Sequence, residues 1–130
     1  MRVEGRSEQG AFNFEKLDVW GEAIDFAETV YRITRGFPDH ERFGLTNQLR
    51  RAAVSVSSNI AEGSSRASRQ DFARFVEIAT GSVFEAVSQS TVARRQGLLS
   101  DDDYQQLRVR ADKLSRMLSG LRRSLTQSHP

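Results

Sequence analysis

The sequence predicts an all-α fold, an antiparallel up-down-up-down four-helix bundle, and three observations carry that prediction. Apolar residues recur at steps of three and four in four separate stretches. Glycine, proline or a helix-capping residue punctuates the stretches, and the gaps between them are short, which makes sequential helices antiparallel neighbours. Pro38 and Pro130 are the only prolines, so almost nothing interrupts helix from Asp39 to His129. A length of 130 residues suits one domain with a real core. Residues 1–12 read as a flexible tail, 13–126 as the bundle and 127–130 as a frayed C-terminus.

The first helix is expected over about residues 17–35. It carries two apolar stripes about 100° apart. One is Leu17, Trp20, Ile24, Ala27 and Tyr31; the other is Val19, Ala23, Phe26, Val30 and Ile33, leading to Phe37. Together they make a face wide enough to touch both its own bundle and something else. Gly36 and Pro38 stop the helix.

The second helix is expected over about residues 42–62, with a seam of Leu45, Leu49, Ala52 or Ala53, Val56 and Ile60. The run from Ala52 to Ser58 is mostly small, which lets a neighbouring helix approach closely but lowers helix propensity. Gly63 is expected to terminate the helix in the left-handed conformation, and Asn59 with Glu62 to form a buried hydrogen-bonded pair at a helix contact.

The third helix, about 68–96, opens on Ser68-Arg69-Gln70-Asp71, which resembles a capping box with Asp in place of Glu. Its seam is Phe72, Phe75 or Val76, Ala79, Val83, Ala86 or Val87, and Ser90, and it stops near Gly97. The fourth, about 101–125, follows the capping Ser100 and places Asp101, Asp102 and Asp103 at the positive end of the helix dipole. Tyr104, Leu107, Ala111, Leu114, Leu118, Leu121 and Leu125 form its seam.

The chain has no cysteine, which excludes a disulfide framework, a thiolate metal site and a cysteine nucleophile, and fits a reducing cytoplasm. No apolar run is long enough to span a bilayer, and the polar N-terminus lacks the apolar stretch of a signal peptide. His40 and His129 have no metal partner at helical spacing, and the Asp101–Asp103 run lacks the spacing and glycine of a calcium loop. Ser55, Ser57 and Ser58 have no nearby base, and Gly63-Ser64-Ser65-Arg66 lacks a phosphate-loop lysine. The expectation is therefore a protein with no catalytic residues, metal, cofactor or small-molecule substrate.

The net charge of +2 is unevenly placed. Met1–Tyr31 is acidic, Arg32–Arg69 is basic, and past Asp103 only Asp112 opposes six cations. All basic residues but Lys16 and Lys113 are arginine, which suits bidentate contact with phosphate or carboxylate. Arg50, Arg51, Arg66, Arg69 and Arg74 are the candidate nucleic-acid contacts, provided that several share one surface. Each taken alone is a salt-bridge partner for the acidic first helix. Val19, Phe26, Val30 and Ile33, with Val54 and Ser58 from the small-residue run, are the candidate oligomer interface.

Several blocks resemble a known family. They are Leu17-Asp18-Val19-Trp20, Val30-Tyr31-Arg32-Ile33-Thr34, Gly36-Phe37-Pro38, the long block from Phe43 to Gly63, Phe72-Ala73-Arg74-Phe75 and Ala79-Thr80-Gly81-Ser82. They are similar to the four-helix bundle proteins encoded in intervening sequences of bacterial 23S rRNA genes. Relatives include the accessory variability determinant proteins of diversity-generating retroelements. The resemblance runs over about residues 12–125. It implies a protomer of a ring-like homopentamer without catalytic activity. It also implies a basic surface that serves nucleic acid and a reverse transcriptase in the retroelement relatives. Gly21-Glu22 stands where the family often has Gln-Lys, and Ala86, Val87 and Ser90 stand where Leu, Glu and Leu are common. The first helix is thus more acidic here, and the basic surface weaker. The expected function is a homo-oligomer, a pentamer, that binds RNA or DNA through arginines; the alternative is a scaffold or accessory subunit, for instance of a reverse transcriptase, with no nucleic-acid role.

Overall fold

The structure, a computed structural model, describes residues 12–127. The expected tail and frayed C-terminus fall outside these residues but for Phe12 and Gln127. The described chain is helical, with α1 at Asp18–Thr34, α2 at Leu45–Ser64, α3 at Arg69–Arg95 and α4 at Asp101–Thr126. Short 3-10 turns occupy Asn13–Lys16 and Asp39–Glu41.

Each helix packs against the two beside it, α1 on α2 and α4, and α3 on α2 and α4. Cross-links show three of the four neighbouring pairs to be antiparallel, with residue numbers rising on one helix as they fall on the other, and α1 and α2 must then run antiparallel as well. Arg32 meets Asp103 while Glu22 meets Lys113; Ser55 meets Ser82 while Gly63 meets Phe75; Thr91 meets Tyr104 while Glu77 meets Arg122. This is the four-helix bundle that the periodicity predicts.

The seams read from the sequence are the core. Phe26, Leu49, Ile60, Leu107, Leu114 and Leu118 are the largest fully buried side chains. The period left two choices at three places: both residues are enclosed at Ala52 with Ala53 and at Phe75 with Val76, while at the third Ala86 is buried and Val87 only partly so. Burying a side chain of this size contributes about 1.5–3 kcal/mol. Ser68 Oγ accepts from Asp71 N–H at 3.0 Å, and Ser100 Oγ from Asp103 N–H at 3.1 Å, so both predicted caps form. Gly97, at φ 77°, closes α3 in the left-handed region that glycine enters at no steric cost.

Three local expectations are corrected. The start of α2 lies at Leu45, because residues 39–41 form a 3-10 turn from which Glu41 Oε1 reaches forward to accept from Leu45 N–H at 3.2 Å. Gly63 lies inside α2 rather than ending it: a Cβ there would stand 2.7 Å from Phe75 Cβ and 2.9 Å from Phe72 Cδ1, so its missing side chain is what lets α3 close in. Asn59 and Glu62 do not pair. The Asn59 amide donates to Ser55 O at 2.8 Å and Ser55 Oγ at 3.0 Å, while exposed Glu62 accepts from Arg66.

The stripes of α1 resolve in favour of the second. Val19, Phe26, Val30 and Ile33 are all buried against the other helices, so four of the six expected interface residues belong to the protomer's own core. The other stripe is the partly covered one. The Asn13–Lys16 turn lies across its start, with the Phe14 ring 5.0 Å from that of Trp20, and Tyr31 at its end stays 39% exposed. Val54 and Ser58 do reach the surface.

Candidate nucleic-acid interface

The five candidate arginines do not share one surface, which corrects the expectation that joined them. Arg50 and Arg51 lie in the first two turns of α2. Arg66, Arg69 and Arg74 lie at the opposite end of the bundle, with roughly 20 Å of helix between the two groups at 1.5 Å per residue.

The second group is already engaged. Arg66 donates to Glu62 at 2.9 Å, and Arg74 approaches Asp71 at 3.5 Å. Both guanidiniums also sit on the Phe75 ring, at 4.7 and 5.0 Å from its centroid. Arg69 donates to the carbonyl of Ser124, one of the orphan acceptors at the C-terminus of α4. These three arginines secure the α2–α3 connection and the end of α4. None of the five pairs with an acid of α1, whose Glu22 is taken by Lys113 at 3.0 Å.

The first group is different. Arg50 Nε donates to Thr34 Oγ1 at 2.9 Å, and its guanidinium carbon lies 4.5 Å from the centroid of the Tyr31 ring. That stacking holds the guanidinium plane in place and leaves its terminal nitrogens without a carboxylate. Arg51 projects from the next position and is exposed. Arg42 lies 5.6 Å from the Phe43 ring centroid, and Arg35 ends α1 beside Tyr31. Among the described residues, no carboxylate comes within 4.0 Å of Arg35, Arg42, Arg50 or Arg51.

Arg50 and Arg51 border an open groove of about 960 Å³ between α2 and the outer side of α3. Phe43 and Tyr31 stand at one end with Arg50 and Arg51; Val54 and Ser58 lie further along. Asn47, Gln48 and Gln89 add amide groups to the walls. Glu85 is the one acid of the lining, and Gln89 Nε2 donates to it at 3.5 Å. Phe43 is 86% exposed, the most exposed large apolar side chain described. It follows Arg42 in the turn that precedes α2, two residues ahead of Leu45, where the seam begins. Its signal lay in the Arg42-Phe43 pairing and in its place ahead of the helix rather than on the seam.

Elsewhere Arg32, Arg94, Arg116 and Arg122 pair with Asp103, Asp101, Asp112 and Glu77. Tyr104 is buried and its hydroxyl meets Thr91 at 2.9 Å and accepts from Arg108 Nη1 at 3.0 Å. The Thr91 bond, the Arg108 bond and the charges of Arg108 and Arg94 lower its pKa from the usual 10, against the opposing effect of burial. Among the described residues, no three His, Asp or Glu side chains come together to hold a metal ion. His40 is exposed and its nearest acid is Glu41 at 4.0 Å; His129 lies outside the described residues. Among the described residues no helix is long and apolar enough to cross a membrane.

Comparison with known proteins bears on the same residues. The family profile described as 23S rRNA-intervening sequence protein matches residues 15–120. The chain is similar in structure to a protein of unknown function from the S23 ribosomal protein family of Bacteroides thetaiotaomicron, with a TM-score of 0.71, 20% sequence identity, and coverage of 79% of this chain and 96% of that one. At that identity the likeness speaks for the fold. No curated protein matches the chain.

Proposed function

The chain belongs to the 23S rRNA-intervening sequence protein family, and from that membership we propose that it is a non-enzymatic homo-oligomer, a pentamer, which binds RNA or DNA through an arginine-rich surface. The observation that carries this reading is the contrast between the two ends of the bundle. At the Arg66–Arg74 end, charges are neutralised or spent on backbone carbonyls. At the other end, Arg35, Arg42, Arg50 and Arg51 have no carboxylate partner among the described residues and gather beside exposed aromatic rings. Unpaired guanidiniums on one surface are what phosphate binding requires. Arg50 and Arg51 therefore keep the role that the sequence suggests, and Arg35 and Arg42 join them.

Self-association rests on α3. Between Ile78 and Ala93 its only charged residue is Glu85, a composition typical of a helix covered on all sides. Yet Ile78, Phe84 and Val92 are 44, 62 and 48% exposed in the protomer. Copies of this chain packed against α3 would bury them, Ile78 and Val92 on one side and Phe84 on the side next to α4. A ring of five would carry about +10 in net charge, which strengthens attraction for nucleic acid. The lack of cysteine agrees with a cytoplasmic setting.

Fluorescence anisotropy with a structured RNA at low and moderate salt tests the binding, and light scattering tests the assembly. The reading expects salt-sensitive binding and an oligomer. Absence of binding at low salt, or a monodisperse monomer, contradicts it.

A further inference from the structure

We infer that the groove beside α2 takes an unpaired stretch of nucleic acid, one base stacked on Phe43 and the adjoining backbone held by Arg50 and Arg51. This rests on the nucleic-acid reading above and narrows it from any strand to a single-stranded one. The argument begins with Phe43. An aromatic ring left 86% exposed gains little from the bundle, and among the described residues the one cation over its face is the Arg42 guanidinium, 5.6 Å from the centroid. A flat, exposed ring among cations is a stacking platform, and every base has a face to offer it. A base inside a duplex has both faces covered by its neighbours, so only an unpaired base can use the ring.

The remaining geometry fits the same ligand. Arg50 is held in plane by Tyr31 and Thr34 and presents its terminal nitrogens, while Arg51 stands one residue on. These two cations oppose the single acid, Glu85, in the groove lining. Asn47 and Gln48 supply both donors and acceptors for a base edge. Gln89 Oε1 is buried and has no hydrogen-bond partner among the described residues. Its amide nitrogen is turned to Glu85.

The test compares a labelled RNA strand devoid of self-pairing with the duplex of the same sequence, using the full chain. Wild type is expected to bind the single strand at least about tenfold more tightly, the usual scale of one stacked base. Phe43→Ala removes the platform and should abolish that preference, lowering single-strand affinity about tenfold with duplex affinity unchanged. Phe43→Trp should restore it, with indole fluorescence quenched on binding. Because Phe43 lies on the surface, circular dichroism should show both variants folded. Equal affinity of wild type for strand and duplex overturns the inference. So does a Phe43→Ala variant that keeps the preference, or one whose only change is a smaller assembly by light scattering, which would make Phe43 a contact between copies. If duplex binding persists and still depends on Arg51, the broader function stands while this inference falls. If neither RNA binds, both fall.

Discussion

A Cβ on Gly63 would stand 2.7 Å from the Cβ of Phe75, closer than real side chains approach. The tightest point of the α2–α3 interface is thus set by an absent side chain. A short way along the same seam, the Ser55 and Ser82 hydroxyls meet at 2.9 Å. Gly81, on the outer side of α3, has nothing within 4 Å of where its Cβ would be.

These two glycines should respond to alanine in opposite directions. Gly63→Ala forces α3 outward and should destabilise the fold by about 1–3 kcal/mol. Gly81→Ala adds helix propensity without a clash and should stabilise it by about 0.5–1 kcal/mol. Urea unfolding of both variants reads the difference. Stabilisation by Gly63→Ala would show that the glycine serves no packing purpose.

The two serine caps should contribute comparably. Ser68→Ala frees Asp71 N–H and Ser100→Ala frees Asp103 N–H. Each should cost about 1 kcal/mol. Ser68→Asp and Ser100→Asp should retain most of that stability, and thermal denaturation decides.

Tyr104 should ionise below the ordinary value of 10. In a Tyr31→Phe background it is the one tyrosine left, so ultraviolet difference titration follows it alone. Arg108→Leu should move the titration upward, because it removes both a donor to the phenolate and a nearby charge. The linked stability follows the sign of a depressed acid: present in full above pH 10, and lost as pH falls through the lowered native value. A Tyr104 that titrates at or above 10 contradicts the geometry.

Arg66 and Arg74 should matter little to nucleic acid. Arg66→Ala and Arg74→Ala each remove a cation already paired with Glu62 or Asp71 and resting on Phe75. Binding isotherms with single-stranded RNA should change by less than about twofold, whereas an isolated phosphate contact changes both affinity and salt slope. Stability should fall by no more than about 1 kcal/mol per lost surface pair.

Much of the fold was legible because it depends on local chemistry. The period of Leu107, Ala111, Leu114 and Leu118, the serine caps and the stop at Gly97 are decided within a few residues, and all stand in the structure. What escaped depends on neighbours that sequence spacing does not name. Both stripes of α1 satisfy the helical period, and only the placement of α2 and α4 decides that Phe26 and Val30 face inward. A single glycine near a helix end signals a left-handed stop and a close approach equally well; the side chains of Phe72 and Phe75 make Gly63 the second. An arginine side chain is long enough to choose among many partners. Spacing does not separate Arg69, which reaches the Ser124 carbonyl of α4, from Arg51, which finds no carboxylate among the described residues; Arg66 and Arg74 were separable, since Glu62 and Asp71 lie about one helical turn before them. Of the proposed site, Arg50 and Arg51 were visible in the sequence. Phe43 was visible only as part of a family-like block, because its exposure depends on how the turn before α2 sits on the bundle.

The salt dependence of single-stranded RNA binding, in wild type and Arg51→Ala, tests the central claim most directly. Affinity should fall steeply as salt rises, and loss of one phosphate contact should lower the slope of log K against log salt by about 0.7 per site. An Arg51→Ala variant with unchanged affinity and slope, or wild-type binding that ignores salt, would contradict an arginine-built nucleic-acid surface at this end of the bundle.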